Sequence, residues 1–179
     1  LDIDSLGMLA LNANNLNVSN CLFVGPGGMG AGVQTNAAPG QTFSDNGFAG
    51  WGTGLFFDGD GALEFPGGSV TGCAFGNNQS GLYLEFVDGT QTITGNGFTV
   101  AIFHLETLLN NGVTVSASGN DFKSGGGIVV ATNDGTLNAQ GNFWGVGTTP
   151  PSSPGQFNST GSATIDVSNP LLADPFPGF

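Results

Sequence analysis

Residues 93–98 read Ile93-Thr94-Gly95-Asn96-Gly97-Phe98: an apolar residue, an Asn three places on, and an aromatic ring two places after that. The same order returns along the whole chain. The turn position is Cys21, Asn46, Cys73, Asn96, Asn120 and Asn142. The aromatic position is Phe23, Phe48, Phe75, Phe98, Phe122 and Trp144, and the apolar position is Val18, Phe43, Val70, Ile93, Ala117 and Ala139. Successive units stand 25, 27, 23, 24 and 22 residues apart. Self-similarity at roughly 20 to 30 residues marks a solenoid, in which each coil buries its apolar side only by stacking on the next.

A second run repeats half a turn later. Gly54-Leu55-Phe56-Phe57-Asp58, Gly81-Leu82-Tyr83-Leu84-Glu85 and Gly127-Ile128-Val129-Val130 read as one strand seen three times, with Ala101-Ile102-Phe103-His104-Leu105-Glu106 as a shifted copy. Each coil therefore carries at least two strands. Gly weakens a helix and Asn competes for its backbone hydrogen bonds while tolerating left-handed φ, so these short runs favour β.

The expected fold is all-β: a single-stranded right-handed parallel β-helix of about six to seven coils. One domain spans residues 1–179, with coils over 1–144, a Pro-rich loop over 145–162, and a last strand and apolar tail over 163–179. At roughly 4.8 Å per coil the rod is about 34 Å long. The 33 Gly suit sharp corners and the 15 Phe suit an internal stack. Leu1-Asp2-Ile3-Asp4 reads as an edge strand. Gly25-Pro26-Gly27-Gly28-Met29-Gly30 reads as an excursion, because Pro and clustered Gly do not continue a ladder.

Charge narrows the partners. The chain has one basic residue of the Lys/Arg type, Lys123, against 13 acids, for a formal net charge of -12. Phosphate neutralisation needs Lys or Arg, so nucleic acid is excluded as a partner, and anionic lipid with it. No apolar run approaches the length of a membrane span, which argues against membrane insertion. Sequons stand at Asn17, Asn78 and Asn158.

The Asn-x-Phe corners, the close Gly141-Asn142-Phe143-Trp144-Gly145, the Pro-rich loop and Val167-Ser168-Asn169-Pro170-Leu171-Leu172 together resemble the right-handed parallel β-helix repeats of the pectate-lyase-like superfamily. The resemblance covers almost the whole chain. It implies that the Asn column is an internal ladder at a corner, which Cys21 and Cys73 interrupt. A whole coil separates those two cysteines, so they are expected to be free, buried thiols. Lyases and esterases of that family use Arg or Lys, and this chain has no Arg and only Lys123, beside Asp121, so the resemblance implies a non-catalytic member.

Alternation gives the candidate site. If Leu55/Phe57, Leu82/Leu84 and Phe103/Leu105 face inward, then Phe56, Tyr83 and His104 form one outward column and Asp58, Glu85 and Glu106 the next. Such a face offers a ligand site for polysaccharide, or a carboxylate pair for a glycan hydrolase. Asp58 and Asp60, in Asp58-Gly59-Asp60-Gly61, offer ligands for Ca²⁺ and are equally good turn formers; no cofactor is required. The functional expectation is an extracellular or cell-surface structural or adhesive module, part of a fibre or filament that assembles end to end with copies of itself.

Overall fold

A computed structural model describes residues 6–36, 38–59, 67–87, 89–99, 102–122, 128–145 and 157–177. The strands in chain order are β1 (Leu6–Ala10), β2 (Asn17–Ser19), β3 (Leu22–Asn36), β4 (Gln41–Ser44), β5 (Gly47–Asp58), β6 (Gly68–Thr71) and β7 (Ala74–Gly76). They continue with β8 (Ser80–Val87), β9 (Gln91–Thr94), β10 (Gly97–Thr99), β11 (Phe103–Ser118), β12 (Ile128–Asn138), β13 (Phe157–Ser159) and β14 (Thr164–Asp166). Every pairing between them is parallel, and no helix occurs among the described residues. The molecule is a parallel β-solenoid of about five turns, slightly fewer than the expected six to seven.

The coils have three sides. The first carries β2, β4, β6, β9 and the far parts of β11 and β12; Val18, Phe43, Val70 and Ile93 point inward there, one above another. The second carries the starts of β3 and β5 with β7 and β10, and brings Phe23, Phe48, Phe75 and Phe98 into register. The third carries β1, the ends of β3 and β5, β8, and the starts of β11 and β12.

The repeated aromatics stack as the spacing predicts. Centroid distances are 5.2 Å for Phe23 and Phe48, 5.1 Å for Phe48 and Phe75, and 4.8 Å for Phe75 and Phe98, with interplanar angles of 8° or less. Phe122 and Trp144 extend the column with more tilt, at 5.1 and 5.0 Å. The rise between strands matches the preferred separation of offset rings, so a ring in every coil adds packing without distorting the ladder.

The third side begins with a glycine in three coils, and the stack explains why. A Cβ on Gly54 would lie 2.8 Å from the Phe75 ring, and one on Gly81 would lie 2.7 Å from the Phe98 ring. Gly32 is similarly tight against the Phe48 ring at 3.1 Å. Glycine here lets the backbone turn against the aromatic column.

The Asn ladder is present. Asn46, Asn96, Asn120 and Asn142 are buried. Asn96 Nδ2 donates to Val70 O at 3.0 Å and its Oδ1 accepts from Cys73 N at 2.8 Å. Asn120 repeats this with Ile93 O and Asn96 N, both at 3.0 Å, and its amide nitrogen also donates to Asn142 Oδ1 at 3.0 Å. Asn142 donates to Ala117 O and Ala139 O. Cys73 does interrupt the column: Asn46 Nδ2 faces its sulfur at 4.0 Å, a weak partner.

Two expectations change. Cys21 is exposed rather than buried, because it belongs to the first coil of the column; only Cys73 is in the core, and both are free thiols. Residues 25–30 stay within β3, although the register jumps between Val24 and Met29, where the strand holds three residues more than its partner. The tail folds back over its own coils. Leu171 N donates to Asn142 O, and the Phe176 ring lies 3.9 Å from the Cβ position of Gly95. Leu1-Asp2-Ile3-Asp4, Lys123, Gly127, Asp60 and most of the Pro-rich loop lie outside the described residues.

Candidate functional site

The third side carries the expected acidic and aromatic groups, in a register that differs from the expected one at β11. Leu55 pairs with Leu82, Phe56 with Tyr83 and Phe57 with Leu84, as alternation predicts. On the next coil Leu105 sits opposite Leu82 and Glu106 opposite Tyr83. The expected alignment of Phe103 with Leu82 is two residues out of register. A shift of two keeps the inward and outward sense but moves each side chain one column along.

His104 is therefore not part of the outward column. It stands level with Gly81 at the corner, is 1 % exposed, and packs edge-on to Phe98 at 5.8 Å and tilted against Phe122 at 5.5 Å. In this coil an imidazole fills the place that glycine leaves open in the coils before it. Phe103, expected in the core, is half-buried and pairs with Ser80, while Thr107 takes the inward place opposite Leu84.

The outward column that results is Gln34, Phe56, Tyr83 and Glu106, and Asp58 and Glu85 lie two residues further along their strands. Five of the six expected residues thus share one face. Phe56 and Tyr83 are parallel within 4°, with centroids 5.0 Å apart. Each ring covers one face of the other along the solenoid axis, so solvent meets ring edges. A sugar ring stacks on an open aromatic face, and this pair does not turn one outward.

Polar contacts tie the face together. Gln34 Nε2 donates to Asp58 Oδ2 at 2.7 Å, the Tyr83 hydroxyl to Glu85 Oε1 at 3.4 Å, and the Ser80 hydroxyl to Glu106 Oε2 at 2.8 Å. Glu85 is pushed above its ordinary value by burial and then by the Asp58 charge, and Glu106 by burial against the opposing Ser80 hydrogen bond. Burial and then the charges of Glu85, Glu106 and Asp58 push the Tyr83 phenol up to about 12. The phenol is held protonated as a hydrogen-bond donor, and the acids are acceptors.

Among the described residues no group of three or more His, Cys, Asp and Glu is arranged to hold a metal ion. The Ca²⁺ pair expected at Asp58 and Asp60 falls outside what the structure describes at Asp60. Of the sequons, Asn17 and Asn158 are exposed, whereas Asn78 is buried and structural. Asn78 Oδ1 accepts from Trp51 N at 2.8 Å and its Nδ2 donates to Phe48 O at 2.9 Å, a second amide bridge at another corner. The sequence signal for it was the adjacent pair Asn77-Asn78 at a strand end, which also reads as a turn.

Among known proteins, no family model, no curated protein and no solved structure matches this chain.

Proposed function

We propose that the chain is a non-catalytic structural or adhesive module of the extracellular or cell-surface kind, related to the pectate-lyase-like β-helices and built to associate end to end. The observation that carries this reading is the apolar surface of the first coil. Leu22, Val24 and Met29 are 72, 67 and 64 % exposed, and Leu9 and Leu11 are exposed beside them. β1 and β2 are the two ends of the strand path, each paired on one side among the described residues. An unpaired parallel edge flanked by apolar side chains is a template for another strand.

The occupant proposed is the β13/β14 end of a second copy, which offers parallel strands of the same rise. Contact between unlike ends is heterologous and, where it does not close, makes filaments. The Asn ladder and the Gly141–Gly145 close support the family relation, and a surface with one Lys and no Arg, poor in sites for trypsin-like proteases, supports an exposed setting. Sedimentation velocity and electron microscopy over a concentration series test the reading. Concentration-dependent rods are expected from the native chain and monomers from Leu22→Lys/Val24→Lys; a native chain that stays monomeric at high concentration would overturn it.

The second reading is a glycan-binding or glycan-hydrolysing face, favoured by the convergence of Phe56, Tyr83, Asp58, Glu85 and Glu106. The stacked rings limit it to hydrogen bonding from the carboxylates and the Tyr83 hydroxyl. Polysaccharide retention without shortening would mark a binding face, and release of reducing ends that Glu85→Gln abolishes would mark a hydrolase.

A further inference from the structure

The first side of the solenoid has an outer surface of a different kind from the acidic one. Its outward positions between the inward Phe43, Val70, Ile93 and Ala117 form two columns. One column is Thr42, Ser69, Thr92 and Ser116. The other is Ser44, Thr71, Thr94 and Ser118. All eight positions carry a hydroxyl, and none carries a charge or an aromatic ring. Beyond Ser116 its column passes to Asn138 and Asp166, while a neighbouring column two residues earlier runs through Thr114, Thr136 and Thr164, the last two with hydroxyls 3.2 Å apart.

The pairing on this side is also regular over a long run of coils. From β2 through β4, β6 and β9 to β11 the register runs without a break. The third side carries shifts at Thr107/Leu109 and Phe103/Leu105, and the stretch of β3 leading from the second side to the third carries one at Val24/Met29. An unbroken parallel register fixes a regular two-dimensional array, with a repeat of about 4.8 Å across strands and about 6.6 Å along them. The buried amides of Asn96, Asn120 and Asn142 hold the adjoining corner at the same rise.

We propose that this hydroxyl face is an ice-binding surface, with crystalline water as its ligand. The repeat across strands lies close to the shorter oxygen spacing on the prism face of hexagonal ice, and the repeat along them falls somewhat short of the longer one. A ligand that is itself a lattice gains from every matched position at once, whereas a soluble molecule meets only a few of them. Thr is stiff at χ1, so its hydroxyl and methyl are held in place before binding and little side-chain freedom is lost. Charged groups would order water around themselves instead; the eight hydroxyl positions hold none, and on this side Asp45, after Ser44, and Asp166, two coils beyond Ser116, stand at the margins. A crystalline glycan is the less fitting occupant, because this face has no ring on which a sugar could stack.

The inference does not depend on end-to-end association, since the face lies along the side of a single chain. The experiment measures thermal hysteresis and ice-crystal shape with the full chain, together with Thr92→Tyr and Ser116→Tyr, which put bulk in the middle of the lattice. Leu172→Tyr, on the highly exposed tail position, is the control. Melting curves establish that each variant is folded; if Thr92→Tyr is not, Thr71→Lys at an exposed lattice position takes its place. The expected result is shaped crystals and measurable hysteresis for the native chain and the control, with most of the hysteresis lost in the face variants. Absence of hysteresis in the folded native chain, or equal hysteresis in the folded face variants, would overturn the proposal. Retention on crystalline cellulose or chitin that the face variants abolish, with no effect on ice, would overturn it in favour of a glycan surface.

Discussion

Asn96 shows how one side chain closes the hydrogen-bond ledger of a corner. Its amide serves Val70 O and Cys73 N, two backbone groups of the preceding coil, and also reaches Asn120 Oδ1. Water does not reach this site, so removing the amide leaves buried groups unpaired. Asn96→Ala is expected to cost about 1–3 kcal/mol. Chemical denaturation measures it, and an unchanged midpoint would contradict the ladder. The Asn ladder was legible from sequence because Asn recurs at a fixed place beside Phe. Asn78 was not, since it bridges at a corner where no other coil repeats it. It links the second and third coils, the same pair between which Cys73 leaves only a sulfur at 4.0 Å from Asn46. The amide bridge has moved from one corner to another.

At the scale of the strand, alternation gave the correct sense for Phe56, Tyr83, Asp58, Glu85 and Glu106, because parity survives a shift of two. Column assignment did not survive it. The distance from the stacked ring to the inward leucine is seven residues from Phe48 to Leu55, from Phe75 to Leu82 and from Phe98 to Leu105, so counting from the ring gives the observed register, whereas matching the local apolar run alone slips it by two. His104 was misplaced for the same reason, and its burial against Phe98 and Phe122 is a matter of packing.

The strand faces also set a pH dependence. Glu85 and Glu106 hold protons more tightly in the folded chain than in the unfolded one, by burial and, for Glu85, by Asp58. Their contribution to stability is complete below the ordinary carboxylate value of 4.5 and is lost as pH rises through their raised values. The melting temperature is therefore expected to rise on acidification from neutral pH towards that value. Glu85→Gln together with Glu106→Gln should flatten the rise. A melting temperature that falls over the same interval, or a double variant that keeps the full slope, would contradict it. Asp166 pulls the other way, held low by Ser168 and Gln140, but it is fully exposed on a different face.

For the whole molecule, the columns inside and the columns outside answer to different demands. Inward positions are fixed by stacking, the glycine corner and the Asn ladder. Outward positions are free to differ from side to side, and the chain places carboxylates on one and hydroxyls on another. That division explains why the fold was readable from sequence while the function was less so: the repeat that reveals the coils belongs to the interior, and the outer faces differ in character from side to side.

The pairing pattern has one more consequence, for how the chain reaches this state. Among the described residues no strand pairing joins positions closer than 22 apart, as between Met29 and Trp51, so none of these pairings is a hairpin that forms early and holds its place. The first two coils must meet across an open loop before any ladder rewards them, and contacts of that separation make folding slow. Once two coils are together, each further turn lays itself on a ready edge. Stopped-flow refolding is expected on the millisecond-to-second scale or slower, and a microsecond phase that recovers the whole signal would contradict it. The protein assembles itself as a crystal does, with a reluctant nucleus and then layer upon layer.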